Sequence, residues 1–159
     1  MLKGIDPLLS PDLLHALRAM GHGDEIAIVD GNYPAATDAR RLIRMDGHDA
    51  PRLLDAILSV MPVDEMVPDA IWRPAAYMDP QRMEPVFADF EEVVRRRAPK
   101  HKIVPLVGAE FYNKVKGCYA IVASGERRLY GNIVIKKGVI HPGDQRRAAP
   151  ETAVISAPV

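Results

Sequence analysis

The sequence predicts a single α/β layered domain with a mainly parallel central sheet flanked by helices, on three observations. Helix-like and strand-like segments alternate from Ser10 to Lys136. The strand-like segments are short apolar runs, as expected of strands covered on both faces. The helix-like segments open on proline or a capping residue and place apolar residues at helical spacing. Alternation of this kind favours helices packed over a parallel sheet.

Ser10 and Pro11 precede Leu13, Leu14, Leu17 and Met20, which gives a cap, a proline in the first turn and one apolar face. Gly21 ends this helix, expected over residues 10–20. Glu25 to Val29 is too short for a helix and reads as a buried strand ending at Asp30. Residues 31–40 carry glycine, asparagine and proline and read as a loop into a short strand, Leu42 to Met45. Pro51 opens a second helix, with Leu53, Leu54, Ile57, Leu58 and Met61 on one side and Pro62 closing it. Pro68 and Pro74 break the next stretch, so Ala70 to Trp72 is expected as an irregular or edge strand.

Met83, Val86, Phe87, Phe90, Val93 and Val94 recur at helical spacing before Arg95, Arg96 and Arg97, cations that suit a helix C-terminus. The long helix is expected over residues 80–97. Ile103 to Val107 reads as a strand, Glu110 to Lys116 as a short helix, and Cys118 to Ala123 and Asn132 to Lys136 as strands. The domain is expected to span residues 1–140. Residues 141–159 lose periodicity and gain proline and alanine, and are expected to form a tail, mobile or packed on a neighbouring subunit.

Composition narrows the function. The chain has 159 residues, 48% hydrophobic and 26% charged, the balance of a folded globular protein. Its 21 basic residues offset 21 acidic ones, so no global field draws it to nucleic acid or to an anionic membrane. A neutral small molecule suits such a surface. No apolar run approaches the ~20 residues that span a bilayer, and the first ten residues lack a signal-peptide core, so a cytoplasmic location is expected. Cys118, the only cysteine, lies in an apolar run and reads as a small buried residue.

Three segments hold polar side chains where an apolar strand begins or ends. His22 lies between Gly21 and Gly23, where an imidazole can be open to a ligand and titrate near neutrality. On local grounds alone it more readily closes the first helix through the dipole. Asp30 could orient His22 as a carboxylate fixes an imidazole, bind a sugar hydroxyl, or start an Asx-turn. Tyr130 and Asn132 flank Gly131 and offer a hydroxyl and an amide to a polyol, or serve as ordinary turn residues. Glu110 is a further polar contact or a helix-start carboxylate. Arg40, Arg41 and Arg44, with Arg95 to Arg97 and Arg127–Arg128, could clamp a phosphate but also suit solvated faces.

Familiar signatures are missing. Gly21 and Gly23 precede a strand instead of following one, and no phosphate-loop motif occurs. His15, His22, His48, His101 and His141 show no metal-ligand spacing, so no metal is expected.

The run from Leu8 to Ala35, with GHGDE at residues 21–25 and a strand ending in aspartate, resembles the ribose pyranase and fucose mutarotase family. So does the run from Phe111 to Val139, with SGE at residues 124–126 and YGNI at residues 130–133. The N-terminal residues 1–14 and the loop Asn32 to Ala35 look more like the fucose branch. The resemblance implies a cofactor-free isomerase that interconverts the ring forms of a free monosaccharide, L-fucose or a relative. It implies His22 as proton donor, with Asp30, Tyr130 and Asn132 at the sugar and ring-based homo-oligomers, often decamers, whose sites lie between subunits. Two positions depart from the pattern. Gly108 stands where relatives commonly carry a basic residue, so Glu110 or an arginine would substitute, and the chain continues past Gly138, near where relatives stop. D-ribose pyranase activity, a non-catalytic sugar-binding accessory of transport, and a purely structural oligomer are the competing readings.

Overall fold

A computed structural model describes residues 2–143. The chain runs α1 (Pro11–Ala19), β1 (Glu25–Val29), α2 (Ala35–Asp38), β2 (Leu42–Met45), α3 (Ala50–Leu58), β3 (Ile71–Pro74), α4 (Pro85–Arg97), β4 (Val104–Leu106), α5 (Ala109–Gly117), β5 (Ala120–Ser124) and β6 (Ile133–Lys136). A short 3-10 turn, Ala76–Met78, follows β3. The sequence-based tail at 141–159 falls outside the described residues beyond Gly143.

The six strands form one sheet in the order β2-β5-β1-β6-β3-β4. Strand β1 pairs parallel with β5, β5 with β2, and β3 with β4, while β6 alone runs antiparallel, between β1 and β3. Alternate residues of β1 feed different layers. Ile26 and Ile28 join the core under α1, α3 and α4, whereas Ala27 and Val29 join the one under α2 and α5. Helices on both faces leave the central strands without solvent contact, which is why β1, β5 and β6 are apolar along nearly their whole length.

Local chemistry sets the helix ends. The Ser10 hydroxyl accepts the Leu13 N–H at 3.3 Å, and the Asp49 carboxylate accepts that of Arg52 at 2.8 Å, with a proline in the first turn of each helix. α4 begins at Pro85, later than residue 80, because proline holds Glu84 extended at φ −114°, ψ 152°. α2 is a single turn within the expected loop.

β3 is not an edge strand, contrary to the expectation from its prolines; β4 holds that place. The pairing of β3 with β6 ends at Trp72, so Pro74 lies beyond that ladder and its missing N–H costs no β6 hydrogen bond. Pro105 is tolerated on β4 for the edge position the rule requires.

α3 and α4 are tied at their exposed rim by Asp55, which accepts from Arg97 Nε at 2.6 Å and from Arg96 at 3.0 Å. The Arg97 hydrogen bond, joined by Arg96 and opposed by burial, holds the Asp55 pKa at about 2. The other basic clusters are also engaged: Arg44 with Asp46, and Arg128 with Glu126 and Asp89.

Two outcomes are expected from this packing. Phe90, with no solvent exposure, should cost about 3–5 kcal/mol as Phe90→Ala in denaturant unfolding. The folded pKa of Asp55 lies below its usual 3.8, so its contribution is present above that value and fades as the pH falls through about 2. Asp55→Asn should therefore lose on the order of 1–2 kcal/mol near neutrality after allowance for solvent screening, and the difference from the parent should vanish in strong acid.

Candidate active site

The C-terminal ends of β1, β3, β4 and β5 and the start of β6 share one edge of the sheet. Asp30 follows β1 and Asn132 precedes β6, and the antiparallel pairing of these strands sets them side by side. The Asp30 N–H donates to Asn132 Oδ1 at 2.8 Å, and Asn132 Nδ2 donates to Asp30 Oδ2 at 2.9 Å. The other carboxylate oxygen accepts the N–H groups of Asn32 and Tyr33 at 2.9 and 3.1 Å. Both residues are buried, and burial raises the Asp30 pKa against these hydrogen bonds. Asp30 thus starts an Asx-turn, one of the readings its sequence context allows, with Oδ2 held by Asn132.

Tyr130 leads into this clasp with φ 62°, a left-handed conformation costly for a tyrosine. The Asn132 N–H donates back to the Tyr130 carbonyl at 2.7 Å and tightens the bend. Gly131 is needed here because a Cβ would lie 2.5 Å from Glu126 Cγ. Glu126 is fixed in turn by Arg128, and its carbonyl accepts the Gly31 N–H at 2.9 Å. The SGE and YGN motifs are therefore one structural unit around Asp30.

Tyr77 and Met78, which sequence reasoning missed, complete this edge. Both are left-handed, at φ 52° and 66°, and exposed at 55% and 63%. The Tyr77 ring lies 5.1 Å from that of Tyr130, with Arg82 above it at 4.0 Å. Arg73, buried beneath, donates to the carbonyls of Pro74 and Pro80 and so bridges the two sides of their loop. Gly108 has φ 52°, and a Cβ there would meet Met78 Cε at 2.9 Å. Met78 occupies the space into which a side chain at residue 108 would grow. Glu110 is exposed on the first turn of α5, where it lines a separate hollow with Glu25, Trp72 and Leu106.

His22 is at the other end of the molecule. It precedes β1, and five strand residues at roughly 3.3 Å each separate its loop from Asp30 by about 16 Å. Asp30 therefore does not orient His22 within one chain. The carboxylate beside His22 is Asp64, whose Oδ1 is 3.2 Å from His22 Nε2.

Asp30 also lines a shallow cavity of about 200 Å³ with Tyr33, Pro34 and Ser124. Two hollows of about 480 and 470 Å³ contain none of His22, Asp30, Glu110, Tyr130 or Asn132, and one of about 370 Å³ contains Glu110 but none of the other four. Among the described residues no cluster of three or more His, Cys, Asp or Glu is placed to hold a metal. No helix among them is long and apolar enough to cross a membrane. Cys118 is buried, and burial pushes its thiol to about 12.

The chain is similar in sequence and fold to known proteins. The human protein named fucose mutarotase is 41% identical over 149 residues, covering 87% of this chain and 94% of that one. The zebrafish protein of that name is 37% identical, covering 91% and 98%. The crystal structure of the fucose mutarotase in complex with L-fucose from Streptococcus pneumoniae superposes with a TM-score of 0.81 at 42% identity, over 88% of this chain and all of that one. Bacillus subtilis RbsD complexed with D-ribose shares the fold, at TM-score 0.67 and 19% identity over 89% of this chain and all of that one. Residues 3–140 match the RbsD / FucU transport protein family, and the chain belongs to that family.

Proposed function

We propose that this chain is an isomerase, a sugar mutarotase acting on L-fucose or a closely related free monosaccharide. The observation that carries this is the Asp30, Tyr130 and Asn132 cluster, held at one sheet edge in a chain 41% identical to a fucose mutarotase. Exposed aromatic surface surrounds it, from Tyr77 and from Tyr112, whose ring stacks on Tyr33 at 5.7 Å. An apolar face of this kind suits the C–H surface of a deoxysugar beside groups that bind its hydroxyls.

Anomer exchange needs a proton taken from the anomeric hydroxyl and one delivered to the ring oxygen. The C1–O5 bond then breaks, the aldehyde rotates, and reclosure on its other face reverses both transfers. Electrons stay with the sugar, so the reaction requires no redox cofactor. Asp30 Oδ2 and the Tyr130 hydroxyl are suited to hold sugar hydroxyls, and Tyr130 to pass a proton. His22 supplies the titratable group, worth about 10²–10⁴-fold by proton transfer.

Because His22 and the Asp30 clasp lie at opposite ends of β1, the histidine must come from a neighbouring copy of the chain. Met83 and Leu129, exposed like Tyr77, Met78 and Tyr112, give that neighbour apolar surface to cover. We therefore read the working form as a homo-oligomer, ring-based and decameric as the family resemblance implies, with each site shared between two subunits.

His22→Ala should reduce α/β exchange of L-fucose, followed by saturation-transfer NMR, by about 10²–10⁴-fold with the oligomer intact. Unchanged exchange would remove His22 from the chemistry, and faster exchange with D-ribose than with L-fucose would overturn the fucose assignment. Mixed oligomers give a second check. His22→Ala and Asn132→Ala subunits, each inactive alone, should regain activity when reassembled together; no recovery would mean that each site is built within one chain.

A further inference from the structure

The loop that carries His22 is built around a carboxylate without any sequence motif to mark it. Asp64 is 2% exposed, yet it faces an imidazole that is itself 42% exposed. Its Oδ1 takes the Met66 N–H at 3.0 Å and stands 3.2 Å from His22 Nε2. Burial opposes ionisation of Asp64, but the Met66 N–H, His22 and Lys136 outweigh it and leave the pKa lowered. A buried carboxylate that stays ionised needs compensating donors, and the imidazole N–H is one of them.

Both partners are fixed by the same stretch of chain. The Asp64 N–H donates to the Lys136 carbonyl at 3.1 Å, and the Gly23 N–H to that of Lys137 at 2.8 Å. Lys137 Nζ caps the carbonyls of Leu17 and Met20 at 2.7 and 2.6 Å, which holds the end of α1 just before His22. Gly138 lets the Asp64 loop pack closely, since a Cβ there would lie 2.5 Å from the Val63 carbonyl oxygen. On the other side of Asp64, its carbonyl is met by His101 Nε2 at 3.0 Å. The His22–Asp64 distance is thus set by backbone, not by two free side chains.

We infer that Asp64 is the positioning residue for His22, accepting the proton on Nε2 and so leaving Nδ1 as the nitrogen that exchanges protons with the sugar. This rests on the mutarotase reading given above and adds which atom acts and what fixes it. In the neutral imidazole one nitrogen donates and the other accepts, so a carboxylate on Nε2 keeps the lone pair on Nδ1. The carboxylate also stabilises the imidazolium formed when Nδ1 takes a proton. Asp64 touches no sugar and is not a catalytic residue.

Magic-angle-spinning NMR of protein labelled with ring-¹⁵N histidine, at about pH 8, reads the tautomer directly, with His22→Gln identifying the His22 signals. A protonated Nε2 and a lone-pair Nδ1 are expected; the reverse tautomer in the parent protein would overturn the inference, whether or not any Asp64 variant folds. Asp64→Asn should lower kcat for exchange by on the order of 10²-fold with KM little changed, less than the ~10⁴-fold of a buried triad carboxylate. It should also mix the His22 tautomers, and Asp64→Glu should recover part of the rate. Asp64→Asn that loses thermal stability but keeps the rate and the Nδ1 lone pair would make Asp64 a structural anchor only. If His22→Ala leaves exchange unchanged, the mutarotase role of His22 fails; if only Asp64→Asn does so, the positioning role fails alone.

Discussion

Strand β6 runs against every other strand of the sheet, and both parts of the proposed site depend on that reversal. Inserted between β1 and β3, it brings Tyr130 to Asn132 to the C-terminal end of β1, where Asn132 and Asp30 exchange hydrogen bonds. At its far end Lys136 to Gly138 secure the loops of His22 and Asp64. One short strand therefore fixes the clasp that suits a sugar and the imidazole that suits proton transfer. A parallel β6 would invert both ends and separate Asn132 from Asp30 by the length of the strand.

The burial pattern explains why so few side chains suffice. Ile26 and Ile28 face one helical layer and Ala27 and Val29 the other, so β1 has no freedom to slip by a residue without exchanging its layers. With the register fixed, the residues just outside the strand, Asp30 above and the His22 loop below, are fixed too. Among the described residues the left-handed non-glycine positions, Tyr77, Met78 and Tyr130, all lie at the upper edge. Such strain persists where the surrounding packing determines it. Here Arg73 beneath the Pro74–Pro80 loop and Glu126 against Gly131 supply that packing.

Much of this was legible in the sequence, for reasons that differ by element. β1 and β2 occupy their expected residues because an apolar run bounded by turn residues has few alternatives, and α1 because Ser10 and Pro11 mark its start. The start of α4 was read early, since apolar spacing extends to Met83 while the constraint that matters is Pro85 acting on Glu84. β3 was misjudged because proline signals an edge only where a ladder needs its N–H, and neighbours cannot be seen along the chain. Asp30, Tyr130 and Asn132 stood out through local turn chemistry. Asp64 did not, because its meeting with His22 follows from strand order, and neither residue carries a local mark of the other. Tyr77 and Met78 were hidden for a similar reason: left-handed backbone at a non-glycine residue comes from tertiary packing.

The contact between Met78 and Gly108 has a consequence for how this surface can change. A side chain at residue 108 must accept φ 52° and must also move the tip of the exposed Met78 side chain, the first a fixed cost and the second a small one. Trimming residue 78 removes the contact and leaves the torsional cost unchanged. The two positions are therefore coupled unequally: the exposed, flexible Met78 side chain can swing aside for a larger group at residue 108, whereas the torsional cost at φ 52° stays with residue 108 whatever residue 78 is.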